Sequence, residues 1–258
     1  MKNIFLISLS ILTLLTFEFV YGQATQPKVK IDKISSIPTP EGYNRVVAAP
    51  NTFASYLQNL GIKQENNQVY LFDGTLKSNQ NAQFCVIKMD VGKRDLQQCA
   101  DAVMRLRAEY LYHAKKYNEI HFNFLSDGKP RYYKNYVGDD LSYEKFKKYM
   151  DYIFSYANTA SLKKELKPVI NINEIQIGDV FIQQGNPYGH AVTVVDVAEN
   201  TKTGEKIFMI AQSYMPAQEI HILKNPMNPK ISPWYSIHFG NELHTPEWTF
   251  TKNDLRRF

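Results

Sequence analysis

The stretch Gly178-Asp-Val-Phe-Ile-Gln-Gln-Gly-Asn-Pro-Tyr-Gly-His190-Ala-Val-Thr-Val-Val-Asp-Val197 decides how this chain is expected to fold. Two apolar runs, rich in β-branched residues, flank a turn segment that contains Gly185 and Gly189. Short apolar runs bounded by such turns predict β-strands. Two further runs, 206–211 and 218–223, follow after similar turns. The C-terminal half therefore predicts an antiparallel strand meander.

The strongest helical pattern lies ahead of this meander. Asp95 followed three residues later by Gln98 predicts a capping box at the start of a helix. Arg105, Arg107 and Glu109 are expected to face outward from that helix. The opposite face carries an apolar stripe, formed by Leu96, Cys99, Val103, Leu106 and Tyr110.

Weaker patterns complete the predicted layout. Further helices are predicted over 52–60, 141–157 and 159–167, and further strands over 69–72, 83–91 and 120–124. Helices followed by strands predict an α+β domain, in which the long helix packs on the antiparallel meander. We expect a single domain over residues 51–258, behind an extended, proline-punctuated lead-in over residues 23–50.

The N-terminus has the pattern of a secretory signal peptide. A basic residue precedes an apolar run over residues 4–15, and Val20 and Gly22 supply the small residues of a cleavage site. A membrane-spanning helix needs about 20 apolar residues, and Glu18 interrupts this run too early. Residues 1–22 are therefore predicted to be removed. We expect an exported protein, periplasmic or extracellular, with no stable membrane insertion afterwards.

Charge and histidine spacing argue against several classes of ligand. The net charge is +5, and the densest lysine clusters lie on predicted helices as solvated faces, so we expect no nucleic-acid partner. His113 and His121, and likewise His238 and His244, lack the spacing of a metal site. A Gly-rich phosphate loop is also missing from the sequence. The sequence therefore predicts no metal and no cofactor.

One cysteine and one histidine stand where a thiol nucleophile and its base are expected. Cys99 falls in the first turn of the long helix, where unpaired N–H groups and the helix dipole favour a thiolate. His190 opens the most apolar strand, next to Gly189, which allows close approach. Gln212 ends the following strand, where its amide could orient the imidazole. Asp196 lies six residues beyond His190, about 20 Å away, and is too distant for that role.

The sequence around these residues resembles papain-like cysteine amidases, including those of the NlpC type. Residues 189–192, Gly-His-Ala-Val, look like the His-Ala-Val strand of papain relatives. Residues 211–214, Ala-Gln-Ser-Tyr, look like their Asn-Ser-Trp segment, with Gln in place of Asn. Residues 178–181, Gly-Asp-Val-Phe, are similar to the strand that leads to the catalytic histidine in NlpC-type enzymes.

This resemblance implies a papain-like fold and a catalytic set of Cys99, His190 and Gln212. Lys93 stands six residues before the cysteine, where papain relatives carry an oxyanion glutamine. The backbone N–H of Cys99, at the start of a helix, can serve as the oxyanion donor instead.

Nearly all of the predicted mature chain also resembles an exported bacterial family of unknown function. The resemblance is carried by residues 90–112, 178–200, 211–225 and 245–250, the last reading Thr-Pro-Glu-Trp-Thr-Phe. It implies no activity, so function has to be argued from the site.

Three interpretations of Cys99 stay open in the sequence. A buried core thiol fits its place on the apolar stripe. A disulfide with Cys85 is the ordinary expectation for two cysteines in an oxidising compartment. A nucleophile fits the helix start and the downstream His190 and Gln212.

Aromatic residues between the cysteine and histidine segments suggest a substrate platform. We predict that Tyr132, Tyr133, Tyr136 and Tyr214 bind substrate, although Tyr132–Tyr136 could equally pack on the core. The leading hypothesis is an exported papain-like cysteine hydrolase, an amidase or peptidase whose partner is a peptide or peptidoglycan-derived substrate. The alternatives are a non-catalytic glycan- or peptide-binding envelope protein on the same fold, and a structural partner in an envelope complex.

Overall fold

The computed structural model describes residues 30–258, so the predicted signal peptide lies outside the described part of the chain. Within that part there are five α-helices: α1 Phe53–Gln58, α2 Cys99–His113, α3 Tyr133–Val137, α4 Tyr143–Tyr156 and α5 Thr159–Glu165. Short 3-10 turns lie at Ile34–Ser36, Tyr117–Glu119, Ile172–Glu174 and Lys252–Asp254. No helix in residues 30–258 has the length and apolar character needed to cross a bilayer.

Thirteen strands are assigned within the same residues. The first seven are β1 Tyr43–Arg45, β2 Gln83–Val86, β3 His121–Asn123, β4 Pro130–Tyr132, β5 Lys167–Pro168, β6 Val180–Gln183 and β7 His190–Asn200. The others are β8 Lys206–Gln212, β9 His221–Leu223, β10 Tyr235–Ser236, β11 Glu242–His244, β12 Thr249–Thr251 and β13 Leu255–Arg257.

Nine of these strands form one antiparallel sheet. Its order is β2-β9-β8-β7-β6-β13-β5, with β1 paired to β7 and β10 paired to β8. Two small antiparallel pairs, β3–β4 and β11–β12, stand apart from it. The predicted meander is its centre, because β6, β7, β8 and β9 are consecutive neighbours.

The expectation of a papain-like fold is wrong, although helices and an antiparallel sheet do coexist as an α+β class requires. The described chain is dominated by the nine-stranded sheet, and its five helices are few and mostly short. The papain-like expectation rested on the order of one helix and two strands and on three short local similarities. Short strands from distant segments complete the sheet, and those segments have little periodicity to reveal them.

Both faces of the central sheet are buried, which explains the unbroken apolar runs of β7 and β8. One core includes Val103 and Leu106 of α2 together with Ala191, Val195 and Met209 of the sheet. The other core, on alternating positions, includes Val192, Val194, Phe208, Ile210 and Phe250. A strand buried on both faces needs apolar side chains at successive positions.

Helix α2 is more deeply buried than its amphipathic pattern predicted. Arg105 and Glu109, expected to face solvent, are only 1% and 2% exposed. The guanidinium of Arg105 donates from Nε to Glu109 Oε1 at 2.6 Å, and Tyr143 donates its hydroxyl to the same oxygen at 2.7 Å. A charged pair can be buried when its partners satisfy one another in this way. The prediction of outward-facing side chains fails for these two residues.

Candidate functional site

The candidate site begins at the N-terminus of α2. The helix starts at Cys99, not at the capping box predicted from Asp95, and Asp101 Oδ2 accepts a hydrogen bond from the N–H of Gln98 at 3.1 Å. Asp95 Oδ1 instead accepts from the N–H of Ala217 at 2.7 Å and from Gln98 Nε2 at 3.1 Å. These bonds fix the start of the helix against the loop between β8 and β9.

The thiol of Cys99 lies against the start of β7. Its side chain is 6% exposed, and Sγ lies 3.8 Å from the carbonyl oxygen of Gly189 and 4.0 Å from Thr159 Oγ1. Backbone N–H groups of Ala100 and Ala191 also face the sulfur. The thiol is thus in contact with backbone groups on both sides of His190.

The pKa of the Cys99 thiol is raised, chiefly by burial and secondly by the nearby carboxyl of Asp101. Hydrogen bonds from the two backbone N–H groups lower the pKa of the thiol, but by less than burial raises it. A helix N-terminus contributes at most about 2 kcal/mol, whereas full burial can shift a pKa by about 3–5 units. Because burial has the larger effect on the pKa, Cys99 is a neutral thiol in the resting protein.

His190 is held by Gln212. The imidazole is 1% exposed, and its Nε2 lies 2.8 Å from Gln212 Oε1. An amide oxygen only accepts hydrogen bonds, so Nε2 carries the proton and Nδ1 is the basic nitrogen. In the sheet Thr193 pairs with Ala211, and this register places His190 and Gln212 on the same face, one diagonal step apart.

An aromatic wall surrounds the imidazole and depresses its pKa. The rings of Tyr214, Trp248 and Phe250 lie 4.9, 5.2 and 5.8 Å from it, centroid to centroid. Burial lowers the pKa of His190 to about 4, against the opposing effects of the Gln212 hydrogen bond and the charge of Glu247. The resting imidazole is therefore neutral at pH 7.

The amide of Gln212 is itself fixed by two acceptors. Its Nε2 donates to Glu247 Oε2 at 2.7 Å and lies 3.3 Å from Nε2 of His221. His221 has Nδ1 2.9 Å from the carbonyl oxygen of Glu219, so that nitrogen is the donor and Nε2 the acceptor. Lys77 contacts Glu247 Oε1. With both acceptors on the amino side, the Gln212 oxygen must face His190.

The thiol and the imidazole do not hydrogen-bond to each other in the described chain. Within residues 30–258 the sulfur bonds are to Gly189 and Thr159, and no side-chain hydrogen bond engages Nδ1 of His190. The structure thus brings together the predicted histidine and glutamine directly, and places the predicted cysteine against the backbone beside that histidine.

A cavity of about 360 Å³ opens over Cys99. It lies between the first turns of α2 and α5 and the segment joining β6 to β7, and Met215 also lines it. The cavity gives the thiol the access that its burial would otherwise deny. Its walls are built by Gln98, Cys99, Ala100, Asp101, Leu125, Asn158, Thr159, Ala160, Gln184, Gly185, Pro187, Tyr188, Gly189 and Met215.

The predicted aromatic residues are placed in three different environments. Tyr214 lies beside His190. Tyr133 is 0% exposed and packs in the core, where a ligand does not reach it. Tyr132 and Tyr136 are each 39% exposed and line a separate cavity of about 250 Å³ together with Tyr152.

The other residues weighed in the sequence have structural partners. Cys85 and Cys99 are both free thiols, and burial raises the pKa of Cys85 to about 12. Asp196, the rejected orienting residue, accepts from Arg45 Nε at 2.6 Å and from Gln58 Nε2 at 2.8 Å. Among residues 30–258 no group of three or more His, Cys, Asp or Glu could hold a metal ion.

Sequence reasoning missed Glu247, His221 and Lys77. Glu247 stood in the Thr-Pro-Glu-Trp stretch that carried the whole-chain resemblance, and this was the available signal. Lys77 lies in an irregular segment, and His221 on a strand of three residues, so neither had a pattern that pointed to the site.

Fold and site together define an α+β protein with a buried histidine–glutamine pair beside a cavity-lining thiol. The chain belongs to the family described as domain of unknown function (4846), whose model matches residues 34–142 and 128–257. No curated protein and no solved structure matches the chain. The predicted membership of a family of unknown function is confirmed, whereas the papain-like resemblance finds no support in these comparisons.

Proposed function

We propose that this protein is an exported cysteine hydrolase that cleaves amide or peptide bonds in cell-envelope substrates. One observation carries the proposal: the Cys99 thiol lines a cavity and touches the backbone on both sides of His190, whose Nε2 is held by Gln212. A nucleophile, a base with its tautomer fixed and an orienting amide are the parts that thiol catalysis needs.

The chemistry begins from neutral partners. The first step requires the S–H of Cys99 to leave Gly189 O and to approach Nδ1 of His190, the free basic nitrogen. The sulfur forms a bond to the amide carbonyl carbon while Nδ1 takes the thiol proton. Collapse of the tetrahedral intermediate breaks the C–N bond, and the imidazolium returns that proton to the leaving amine. Water, deprotonated by Nδ1, then cleaves the thioester and releases the thiol.

The oxyanion has donors at the start of α2. The first N–H groups of a helix have no partner within it, and those of Cys99 and Ala100 lie at this cavity. They supply the stabilisation of developing negative charge that the missing upstream glutamine would otherwise give.

Turnover of peptidoglycan fragments by the purified protein tests the proposal. Cys99→Ala is expected to abolish hydrolysis, while the matched control Cys85→Ser retains it, because Cys85 lies on β2 outside the cavity. In a rapid quench, the peptide that contains Cys99 should gain the mass of the substrate acyl group. Hydrolysis that survives in Cys99→Ala would remove the proposed nucleophile.

The second candidate is a non-catalytic glycan- or peptide-binding protein. It is favoured by the lack, among the described residues, of a hydrogen bond from the thiol to His190, and by the cavity that Tyr132, Tyr136 and Tyr152 line. Aromatic faces of this kind stack on sugars or peptides. Binding that persists in Cys99→Ala, with no turnover by the wild-type protein, would favour this candidate.

Export of the protein rests on the signal-peptide pattern of residues 1–22, which lie outside the described chain. N-terminal sequencing of the protein recovered from the envelope or medium tests it, with Gln23 as the expected first residue.

A further inference from the structure

A second cavity adjoins the one over Cys99. It has a volume of about 350 Å³ and is lined in part by Asp95, Phe154 and Tyr156. Four residues line both cavities, namely Gln98, Asp101, Leu125 and Asn158. The two cavities therefore form a continuous depression around the N-terminal end of α2, long enough for more than one residue of a ligand.

The ionisable carboxyl groups of this depression are not balanced by any basic side chain. Asp95 and Asp101 contribute carboxyl groups, and no lysine, arginine or histidine of residues 30–258 lines either cavity. An anionic ligand group would find no positively charged partner in this lining, and a buried charge without a partner is strongly unfavourable. The lining thus selects for a cationic or neutral ligand.

Asp101 is the residue with unused hydrogen-bonding capacity. Its side chain is 8% exposed, and Oδ2 accepts from the N–H of Gln98. Oδ1 is itself buried and has no hydrogen-bond partner in the described part of the chain, so a ligand reaches it only after a small rotation of the side chain. A buried polar atom without a partner costs about 1–3 kcal/mol, and such atoms are uncommon in native proteins. Asp95, in contrast, uses Oδ1 to hold Ala217 and Gln98.

We propose that Asp101 binds a protonated primary amine of the substrate, either a free amino terminus or the side-chain ammonium of a basic residue. An ammonium supplies both the donor that Oδ1 lacks and the positive charge that the lining lacks. A charge-assisted hydrogen bond of this kind is shorter and stronger than a neutral one. This inference rests on the proposed function, since it names the substrate class of the same site.

The position of Asp101 also limits where that amine lies in the substrate. Cys99 and Asp101 are two residues apart in the first turn of α2, and residues at this spacing do not face each other on a helix. The ammonium therefore lies to the side of the carbonyl that Cys99 attacks, where the two cavities meet at Asp101. Burial holds the pKa of Asp101 well above its usual range, so the carboxyl group releases its proton when the ammonium binds.

Binding to the Cys99→Ala protein tests the inference without requiring turnover. The probes are the tripeptide amide Ala-Ala-Lys-NH2 and its form acetylated on both amines, titrated by calorimetry at millimolar concentrations. We expect the free-amine form to bind about tenfold more tightly. Adding Asp101→Asn should abolish that preference without weakening the acetylated probe, because Asn retains an oxygen for the N–H of Gln98.

Two controls make the outcome decisive. Asp127→Asn, which changes an aspartate outside both cavities, should keep the preference, and circular dichroism checks that each variant folds. Equal binding of the two probes, no measurable binding of either, or a preference that survives Asp101→Asn would overturn the inference. Equal hydrolysis of free and acetylated substrates by the wild-type protein would overturn it while leaving the proposed hydrolase intact.

Discussion

Glu247 holds the side-chain amide of Gln212 at 2.7 Å, and the opposite end of that amide meets Nε2 of His190 at 2.8 Å. The carboxylate thereby sets the orientation of an imidazole that it does not touch. Lys77 contacts the other oxygen of Glu247, and Asn79 Nδ2 donates to that oxygen at 3.1 Å. The candidate base is therefore at the end of a chain of polar contacts.

Glu247→Gln is expected to lower kcat of the proposed hydrolysis by about tenfold, which is less than the whole contribution of about 10²–10⁴ that a general base makes. The charge of Glu247 raises the pKa of His190 against burial. Its removal should therefore move the acid limb of the pH–rate profile below the wild-type value near pH 4. The measurement is kcat and KM from pH 3.5 to 8.

Glu242→Gln serves as the matched control, because Glu242 lies exposed on β11 and does not contact Gln212. A purely structural role for Glu247 would lower the amount of folded protein without moving the acid limb. An unchanged pH–rate profile in folded Glu247→Gln would thus show that Glu247 does not influence His190.

Gly189→Ala is expected to disturb the start of β7 and the thiol together. A Cβ at this position would lie 2.4 Å from the backbone oxygen of Gln183 and 2.9 Å from Thr159 Cγ2. The backbone must shift, at a cost of roughly 1–3 kcal/mol by analogy with overpacking, and that shift alters the contact between Gly189 O and Cys99 Sγ. Urea unfolding and the rate of Cys99 alkylation measure the two effects.

Gly61→Ala is the control for this variant. A Cβ there would have its nearest neighbours at 3.8 and 3.9 Å, which is ordinary contact, so stability should change little. If Gly189→Ala were as stable as Gly61→Ala and Cys99 reacted as in wild type, the close approach at Gly189 would not constrain the thiol.

The residues that the sequence predicts for the candidate site lie on long, regular elements. Cys99, His190 and Gln212 sit at the ends of α2, β7 and β8, which have 15, 11 and 7 residues. Elements of this length have a period that can be read from one chain. The predicted pairing of His190 with Gln212 followed from strand order alone, and the structure contains that pair.

The rest of the architecture depended on contacts that a local pattern does not encode. Strands β1, β5, β10 and β13 have two or three residues each, come from widely separated segments, and have no counterpart among the predicted strands. Glu247 and Gln212 are 35 residues apart, and Lys77 and Glu247 are 170 apart. The papain-like expectation extended three local similarities to a whole fold, and the wide sheet completed by these short strands overturned it.

The helical periodicity also gave a wrong prediction for two charged residues, which are buried and not exposed. Because Glu109 is enclosed with Arg105, Arg105→Met should leave a buried carboxylate unpaired and cost about 3–5 kcal/mol. The double variant Arg105→Met with Glu109→Leu should be more stable than Arg105→Met alone, since it also removes the buried, unpaired carboxylate of Glu109. Urea unfolding of the purified variants measures both.

Lys148→Met is the comparison for an exposed pair of the same i, i+4 spacing. Lys148 and Glu144 are 61% and 80% exposed, so their pairing should contribute little to stability. Equal losses from Arg105→Met and Lys148→Met would contradict the argument from burial.

The two buried histidines should make the fold sensitive to mild acid. Burial lowers the pKa of both His190 and His221 to about 4, below the value of about 6.5 in an unfolded chain. Between these values the unfolded chain binds more protons, so stability is fully present above about pH 6.5 and falls as the pH drops towards 4. Each histidine contributes up to about 3 kcal/mol to that loss.

Urea unfolding at pH 7.5, 6 and 5 measures this slope in wild type and in His221→Gln. Asp101 has a raised pKa and contributes a slope of opposite sign, so the informative quantity is the difference between variant and wild type. His221→Gln should lose less stability on acidification, because Gln has no proton to take up and its amide oxygen can still accept from Gln212. His238→Gln, at an exposed position, should keep the wild-type slope. A slope that is the same in all three proteins would mean that His221 is not buried as a neutral imidazole.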